Sequence, residues 1–497
     1  MTPIHSVLDT QAAARPEATA LVDHDGRRIS FADLDAAVAE MAAALAARGL
    51  GPGDRLLILS ENAAAMIGLV LAASRLGAVA VPVNARMTGP ELDRIRAHAD
   101  PRLTVFLTNV SPAAAEHAAR LGAEAWPTPL GALALAATSP ADPAPPETPD
   151  VAVILYTTGT TGTPKGVMLT HANLMFGGNS SARMRELGPQ DIILGVLPMT
   201  HVFGLTSMML AGLIAGAELR LAPRFSAGDV LDALAAGATV LPAVPQMHAL
   251  IMAEAAARGL THAPGGRLRY VSSGAAPLDP EWKRRAEAFY GVALQNGYGM
   301  TETTAGVTLT VNPSGVPDVS VGPPLPGVEL RLRDPGPDGV GEIQTRGPHV
   351  TPGYFRNAEA TAALFDADGF LCSGDLGRID AAGNLHIAGR SRELIIRGGF
   401  NVYPPEVEAA LNDHPAVLQT AVIGRAREGG DEDILAFCQL ISPDAVTADA
   451  LAAHAAARLS AYKRPTRIIL TGALPAAATG KVLKHRLVAH FADLLGL

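Results

Sequence analysis

The amino-acid sequence predicts an α/β fold in which layers of helices cover largely parallel strands. Apolar runs of strand length, such as LLILS at 56–60 and VAVPV at 79–83, alternate with alanine-rich stretches of helical length. The clearest helical stretches run from Phe31 to Ala47 and from Glu61 to Leu76. This alternation is typical of strands joined by crossover helices, and it disfavours a helical bundle or a β-sandwich.

Three more apolar runs later in the chain predict further strands: VAVILY at 151–156, IILGVLP at 192–198 and RYVSS at 269–273. A chain of 497 residues is too long for one small core, so we expect several subdomains.

Two segments indicate where the chain divides. Residues 140–150, PADPAPPETPD, form an acidic linker that cannot be helical, because proline lacks an N–H donor and restricts the residue before it. The glycine-rich, charged stretch that begins near Gly389 predicts a hinge, and the tail after it has the size of a small domain. We therefore predict a boundary between residues 1–391 and residues 392–497.

The composition excludes several classes of protein. Hydrophobic residues make up 48% of the chain, but alanine supplies much of this, and polar residues such as Ser74 and Arg75 interrupt the longest apolar stretch, so we expect no membrane span. A net charge of −9 without a block of Lys and Arg argues against nucleic acid as a partner. The first twenty residues show no apolar run bounded by a basic end and a cleavage site, so we expect no secretory signal, and two cysteines make no disulfide framework. We therefore expect a cytoplasmic protein.

A loop rich in glycine and threonine follows the strand at 151–156 and precedes a second short strand. Its residues are Thr157, Thr158, Gly159, Thr160, Thr161, Gly162, Thr163, Pro164 and Lys165. Glycines let backbone N–H groups approach phosphate oxygens, hydroxyls add donors, and the lysine adds positive charge. It is not a Walker loop, because Gly166 follows the lysine where Ser or Thr is required. A surface loop of turn-forming residues would explain the glycines but not five threonines with a lysine, so the loop predicts a triphosphate site.

This loop resembles that of the adenylate-forming superfamily, which contains acyl-CoA synthetases, 4-coumarate-CoA ligases, firefly luciferase and the adenylation domains of peptide synthetases. The resemblance covers almost the whole chain, because further motifs follow in the order of that family. It implies a large N-terminal domain of layered α/β subdomains and a small, mobile α+β C-terminal domain. It also implies ATP, Mg²⁺ and the co-substrate CoA.

The motif NGYGMTET at 296–303 resembles the adenine and magnesium motif of the family. The resemblance implies that Thr301 contacts the phosphate next to the acyl group and that Glu302 holds Mg²⁺. Taken alone, a Glu after such a turn is more often a solvated loop residue. The residues implied to bind the nucleotide are Asn296, Gly297, Tyr298 and Gly299.

Two other motifs are implied to border the nucleotide. In SSGAAPL at 272–278, Gly274 and Ala275 resemble residues that line the adenine and acyl sites, although a tightly packed turn explains them equally well. In SGDLGRID at 373–380, Asp375 resembles the acceptor of the ribose hydroxyls, with Ser373 where Thr is usual. Arg390 resembles an arginine that contacts the nucleotide.

The C-terminal part carries the remaining implied residues. Arg392 stands at the hinge position of the family, and Lys481, in the context ATGK, resembles the lysine that bridges the acyl carboxylate and the α-phosphate. The loop implied to receive the pantetheine arm of CoA consists of Arg397, Gly398, Gly399 and Phe400. His201, in LPMTHVFGL, matches a position beside the acyl pocket, but a buried core histidine is an equally good interpretation.

The motifs favour an AMP-forming acid–thiol ligase over its alternatives. A scaffold without turnover predicts loss of Lys481, Glu302 or the threonine loop, and all are present. A stand-alone enzyme that loads a carrier protein is the second hypothesis, disfavoured because Met300, not proline, follows Gly299. A luciferase-type oxygenase needs the same first half-reaction and stays open.

The sequence gives little information about which acid is the substrate. The stretches implied to line the acyl pocket contain no unpaired Arg or Lys, although Arg269 lies near one of them. We therefore expect a monocarboxylic acid, either a medium-chain fatty acid or a cinnamate-like aromatic acid. A dicarboxylate of the malonate or oxalate type is the alternative.

Overall fold

The computed structural model describes residues 2–138, 150–158, 164–274, 278–397, 400–427, 432–476 and 482–496. The strands of these residues are β1 (Thr19–Val22), β2 (Arg28–Ser30), β3 (Arg55–Ser60), β4 (Val79–Asn84), β5 (Leu103–Phe106), β6 (Glu124–Thr128), β7 (Gly131–Ala137), β8 (Val151–Thr158), β9 (Pro164–Thr170), β10 (Ile192–Gly195), β11 (Glu218–Leu221), β12 (Val240–Ala243), β13 (Tyr270–Gly274), β14 (Leu294–Tyr298), β15 (Thr308–Leu309), β16 (Glu329–Arg333), β17 (Gly341–Arg346), β18 (Leu371–Ile379), β19 (Leu385–Arg390), β20 (Ile395–Arg397), β21 (Phe400–Val402), β22 (Val417–Ala426), β23 (Glu432–Leu440) and β24 (Arg467–Thr471).

The α-helices are α1 (Ser6–Ala14), α2 (Phe31–Ala46), α3 (Ala64–Arg75), α4 (Gly89–Ala99), α5 (Pro112–Arg120), α6 (His171–Met184), α7 (Ala211–Ala215), α8 (Ala227–Ala235), α9 (Pro245–Ala257), α10 (Pro280–Tyr290), α11 (Ala358–Ala362), α12 (Pro404–Asn412), α13 (Ala448–Ala456), α14 (Leu487–His490) and α15 (Ala492–Leu495). A π-helical segment, Phe203–Leu210, leads directly into α7.

Two large sheets form the body of the N-terminal region. One has seven strands in the order β6-β7-β5-β3-β4-β8-β9, with β5, β3, β4 and β8 parallel. The other has eight strands in the order β15-β14-β13-β12-β10-β11-β1-β2, and its six strands from β14 to β1 are parallel. The predicted α/β class is confirmed, and all five apolar runs singled out above form strands.

The two sheets share one apolar core. Helix α3 has no solvent face, because every residue from Ala64 to Ser74 is buried. The turn before it joins the sheets directly: Asn62 donates from Nδ2 to the carbonyl oxygens of Gly195 (2.9 Å) and Leu197 (2.8 Å), and its Oδ1 accepts from the N–H of Met199 (2.8 Å). The alanine-rich sequence of α3 thus reflects its burial in the apolar core that the two sheets share.

Smaller sheets follow. Strands β16 to β19 form an antiparallel sheet in chain order, and β20 pairs with β21. Strands β22, β23 and β24 form the last sheet, which packs with α12 and α13 around a separate core that includes Val407, Leu411 and Leu451. A small α+β C-terminal region therefore follows the large N-terminal one. Residues 139–149, most of the predicted linker, lie outside the described residues.

No helix in the described part of the chain combines the length and the apolar character that a membrane span requires.

Candidate active site

The predicted phosphate loop closes a β-hairpin. Strands β8 and β9 are antiparallel, with Thr157 opposite Lys165 and Thr158 opposite Pro164. The loop between them, residues 159–163, lies outside the described residues, so the predictions for Gly159, Thr160, Thr161, Gly162 and Thr163 stay predictions. The hairpin confirms the predicted order of strand, loop and second strand.

The segment 351–355 is attached along β9 and brings a tyrosine to the loop. The N–H of Met168 donates to Gly353 O (3.0 Å), and the N–H of Phe355 donates to Gly166 O (2.8 Å). These bonds place the ring of Tyr354 4.8 Å from Nζ of Lys165, measured to the ring centroid. The cationic head of Lys165 is therefore held over an aromatic face next to the loop.

Tyr354 also contacts the predicted magnesium ligand. Its phenol donates to Oε1 of Glu302 at 2.8 Å, and the exposed fractions of the two residues are only 6% and 7%. The N–H of Thr351 donates to the carbonyl oxygen of Glu302 (2.9 Å), which fixes the backbone of the same residue. Burial, and then the negative charge of Glu302, hold the pKa of the Tyr354 phenol well above its usual value, so the phenol is a permanent donor.

The backbone after Glu302 takes a conformation that glycine normally adopts. Thr301, which is buried, begins a 3₁₀ turn that ends at Thr303, and Thr304 and Ala305 then have φ of +51° and +85°. Positive φ is a real outlier for a β-branched residue and costs on the order of 1–3 kcal/mol. A bond from Thr304 Oγ1 to His349 O (2.7 Å) helps to hold it.

A second group of predicted residues assembles around Asp375. Its Oδ2 accepts from the hydroxyl of Tyr298 at 2.6 Å, and its Oδ1 lies 3.2 Å from Nε of Arg390. Burial and the negative charge of Asp375 raise the pKa of Tyr298 well above the usual value, so this phenol also stays protonated. The arrangement fixes a nearly buried carboxylate whose remaining lone pairs can accept ribose hydroxyls.

The other residues of the two motifs have different roles. Asn296 is buried, and both ends of its side chain are used internally: Nδ2 donates to Ser320 O (3.0 Å) and Oδ1 accepts from Gly297 N–H (3.0 Å). These contacts are within the protein, and the prediction that Asn296 binds nucleotide stays a prediction. Gly299 is required sterically, because a Cβ there would lie 1.8 Å from Ala305 O.

A cavity lies beside Tyr298 and Gly299, with a volume of about 80 Å³. Gly274 and His201, both predicted to lie beside the acyl pocket, line this cavity together with Phe203, and a Cβ at Gly274 would come within 3.2 Å of the Phe203 ring. His201 is exposed, which excludes the buried core histidine that sequence reasoning left open. The other lining residues are Ser180, Ser181, Arg185, Val202, Ser207, Ser272, Ser273, Gly297, Ala305, Gly306, Thr308, Leu309 and Leu325.

Arg185 corrects one expectation drawn from the sequence. The sequence indicated no cationic side chain in the acyl pocket and noted only Arg269 nearby. The structure places Arg185 in the lining and uses Arg269 elsewhere, in an ion pair with Asp191. Sequence reasoning missed Arg185 because it stands at the end of a helix, outside every family motif quoted above.

The residues implied for the C-terminal half are partly described. Arg392 lies in a 3₁₀ turn, Ser391–Glu393, at the predicted hinge. Arg397 and Phe400 pair across β20 and β21, and the exposed Phe400 ring stacks on Tyr462 at 4.7 Å. Gly398, Gly399, Ala275 and Lys481 lie outside the described residues.

Described residues stand on both sides of the segment 477–481 in the chain. Ala476 and Val482 form a β-bridge across it, and Nζ of Lys484 contacts Glu393 (2.7 Å) and Glu408 (2.8 Å). Lys484 is therefore tied to Glu393, the residue that follows Arg392.

The motifs above occur together in one family of enzymes. Residues 8–355 match the AMP-binding enzyme family, and residues 406–481 match the AMP-binding enzyme C-terminal domain. The chain belongs to the AMP-binding enzyme family. Other members of this family include sulfoacetate–CoA ligase of Cupriavidus necator, 35% identical over 98% of this chain and 97% of that one. 4-Coumarate–CoA ligase 5 of Oryza sativa subsp. japonica is 33% identical over 99% and 95%.

A solved AMP-binding enzyme has the same fold. The structure of o-succinylbenzoate coenzyme A synthetase (MenE) from Bacillus subtilis, in complex with ATP and magnesium ion, matches with a TM-score of 0.81 at 30% identity, over 98% of this chain and 99% of that one. The chain is accordingly an AMP-forming acid–CoA ligase that uses ATP, Mg²⁺ and CoA. The predicted family, fold, reaction class and cofactors are confirmed.

Glu302 fits the role of magnesium ligand. Carboxylate oxygens suit Mg²⁺, and a buried carboxylate is unfavourable unless it is paired with a cation or hydrogen-bonded. Within the part of the chain that the structure describes, the one side chain that donates a hydrogen bond to Glu302 is the neutral Tyr354 phenol. Glu302 therefore retains negative charge that a cation can neutralise.

Proposed function

We propose that this ligase activates a compact carboxylic acid, of the aromatic or short-chain type, in the cavity beside Tyr298. The observation that carries this proposal is the lining of the cavity. Nucleotide-motif residues, Tyr298 and Gly299, border the same space as Phe203, Gly274 and a polar set of three serines from α6 and the π-helical segment. A long alkyl chain would have to bury methylene groups against serine hydroxyls and a guanidinium group, which is unfavourable.

In the first half-reaction, an oxygen of the acid attacks the α-phosphorus of ATP, and the bond to pyrophosphate breaks. The carboxylate is a competent nucleophile at neutral pH, so the protein needs no nucleophile of its own. The task is to overcome repulsion between two anions. We assign this task to Lys165 and Lys481, together with Thr301 and the threonine loop.

Glu302 would hold Mg²⁺, which supplies charge neutralisation at the phosphates. Tyr354 holds Glu302 in place through its phenol, and the phenol cannot become a competing anion at physiological pH because its pKa is raised. Asp375 and Arg390 would position the ribose, so that the α-phosphorus faces the cavity.

In the second half-reaction, the sulfur of CoA attacks the acyl carbon, a C–S bond forms, and the bond to AMP breaks. We propose domains at 1–391 and 392–497, with rotation of the second about Arg392 between the two half-reactions. This movement would present the hairpin that carries Arg397 and Phe400 to the pantetheine arm. Exposed His201 stands in the cavity lining, in a position to border the path of the thiol.

We further propose that free CoA, rather than a carrier protein, accepts the acyl group, and that the enzyme works in the cytoplasm. The CoA ligases among its relatives support this choice. Two relatives named above act on 4-coumarate and on sulfoacetate, which supports an acid that is compact and carries a polar substituent.

Pyrophosphate release tests the proposal. Purified protein is incubated with ATP, Mg²⁺ and a panel of acids from acetate to decanoate, benzoate and cinnamate, with and without CoA. We expect CoA-dependent turnover that is highest with short or aromatic acids. Pyrophosphate release that CoA does not accelerate, with acyl-AMP accumulating, would instead indicate a carrier-loading enzyme, and a maximum at decanoate would contradict the compact pocket.

A further inference from the structure

Arg185 is a buried cation that faces the acyl cavity. It follows α6 as the C-cap residue, lines the cavity, and is only 5% exposed. Its guanidinium carbon lies 5.9 Å from the ring centroid of Phe203 and 5.7 Å from that of Tyr270. Two aromatic faces therefore shield the guanidinium group from water.

The hydrogen bonding of this guanidinium group is incomplete. Nη1 donates to the carbonyl oxygen of Ser207, but Nε is buried and has no acceptor. Among the described residues, no Asp or Glu forms an ion pair with Arg185. Because arginine cannot lose its charge, a buried guanidinium group without a counter-ion is unfavourable unless a ligand supplies one.

The backbone of Arg185 is held rigidly. Arg269 donates from Nη1 to the carbonyl oxygen of Arg185 (3.1 Å) and from Nη2 to that of Glu186 (3.0 Å), while its Nε bonds to Asp191 at 2.7 Å. These hydrogen bonds satisfy backbone carbonyl oxygens at the end of α6. The direction of the Arg185 side chain is then set by its own contacts with Ser207, Phe203 and Tyr270. Arg269, the cation noted from the sequence, thus positions the cation that faces the cavity.

Other lining groups add to the polar character of the same space. The hydroxyls of Ser273 and Thr308 are buried and have no hydrogen-bond partner, and the hydroxyl of Ser181 contacts that of Ser207 at 3.1 Å. Buried polar groups in proteins are normally paired. Their concentration around one cavity indicates a ligand with its own oxygen atoms.

We propose that Arg185 binds a second anionic group of the substrate, a carboxylate or a sulfonate, at the end of the acid that does not react. The inference rests on the proposed function, since it assigns one end of the acid in that cavity. The arginine would form a charge-assisted hydrogen bond with an oxygen of this group. Arg185 is then a specificity-determining residue, and the preferred substrates are dianions.

The test compares acids that differ in charge but hardly in shape. Succinate is paired with succinamate, and terephthalate with 4-carbamoylbenzoate, while 3-sulfopropanoate represents the sulfonates. For the wild type we expect kcat/KM for adenylation to be roughly 10- to 150-fold higher for the dianion of each pair, the range of a hydrogen bond to a charged group. Comparison of 3-sulfopropanoate with succinate shows whether the site prefers a sulfonate or a carboxylate.

The variants are Arg185→Gln, Arg185→Lys and the matched control Arg183→Gln, an exposed arginine on the same helix. Arg185→Gln should lose the preference for dianions yet keep turnover of the monoanionic partners, Arg185→Lys should keep part of the preference, and Arg183→Gln should behave as the wild type. If Arg185→Gln fails to fold, the wild-type comparison and Arg185→Lys still test whether Arg185 binds the second anionic group.

The outcomes separate this inference from the proposed function. Turnover of the monoanionic acids with no preference for dianions, or an equal loss for all acids in Arg185→Gln, would overturn the role of Arg185 and leave the ligase intact. Absence of CoA-dependent turnover with every acid would overturn the proposed function itself.

Discussion

Replacement of Tyr354 by phenylalanine tests whether the magnesium ligand is held by a tyrosine. The change deletes one hydroxyl and keeps the ring over which Nζ of Lys165 lies. It therefore removes the 2.8 Å bond to Glu302 and little else.

The expected effect of Tyr354→Phe on adenylation follows from the burial of both partners and the charge of the acceptor. Both partners are almost fully buried, and the acceptor is a carboxylate, so the bond contributes about 1.5–3 kcal/mol. If the bond persists in the transition state, kcat/KM for adenylation falls by roughly 10- to 150-fold. Because Glu302 becomes free to rotate, the concentration of Mg²⁺ required for half-maximal rate should rise.

The assay is acid-dependent exchange between pyrophosphate and ATP, measured across a series of Mg²⁺ concentrations. Tyr290→Phe is the control, since it removes a buried phenol that contacts His248 at 2.9 Å rather than Glu302. An unchanged Mg²⁺ dependence in Tyr354→Phe, or the same shift in Tyr290→Phe, would refute the positioning role.

Three more predictions concern the two half-reactions, nucleotide binding and the stability of the fold. Lys481→Ala should abolish acyl-AMP formation while preformed acyl-AMP still reacts with CoA, whereas Gly399→Leu should mainly damage the thioester step; equal loss of both half-reactions in each variant would contradict this division. Asp375→Asn should weaken ATP binding by about 1.5–3 kcal/mol in calorimetry, because the carboxylate that accepts from Tyr298 and pairs with Arg390 loses its charge; Asp366→Asn, outside the site, is the control. Burial lowers the pKa of His248 to about 4. The unfolded chain therefore binds a proton at residue 248 below about pH 6.5 that the folded chain does not bind, so His248 lowers stability by up to about 3 kcal/mol as the pH drops from 6.5 to 4. His248→Gln should remove this contribution from the pH dependence of thermal unfolding, and the contribution of His349, whose pKa burial also lowers to about 4, should remain.

The sequence predicted the features that short segments determine. The five apolar runs form strands, and each could be recognised because a run of consecutive apolar residues indicates a buried strand. The loop after β8 and the motif around Glu302 could be read for the same reason, since glycines and donors at fixed spacing define a local conformation. Tyr298 and Asp375, from separate motifs, meet as the family resemblance implied.

Contacts between distant segments could not be predicted in this way. Tyr354 contacts a residue 52 positions earlier in the chain, and the contact depends on how residues 351–355 pair with β9. Arg185 looks in the sequence like an ordinary charge at a helix end, and only the packing of Phe203 and Tyr270 buries it. The internal bonds of Asn296 also join distant segments, because its side chain donates to the carbonyl oxygen of Ser320, which its motif does not indicate.

The burial of helix α3 has a consequence for engineering. A Cβ on Gly68 would lie 2.5 Å from Cδ1 of Leu130, and α3 is buried in the apolar core shared by the two sheets that Asn62 also joins. Neither sheet can therefore be cut out as a fragment without exposing an entire apolar face, and the two should unfold in one transition. A chimera that takes only one sheet from a related ligase would have to repack the residues around α3. A chimera that takes α6 and the π-helical segment together from that ligase would change the preference for acids while leaving this core in place.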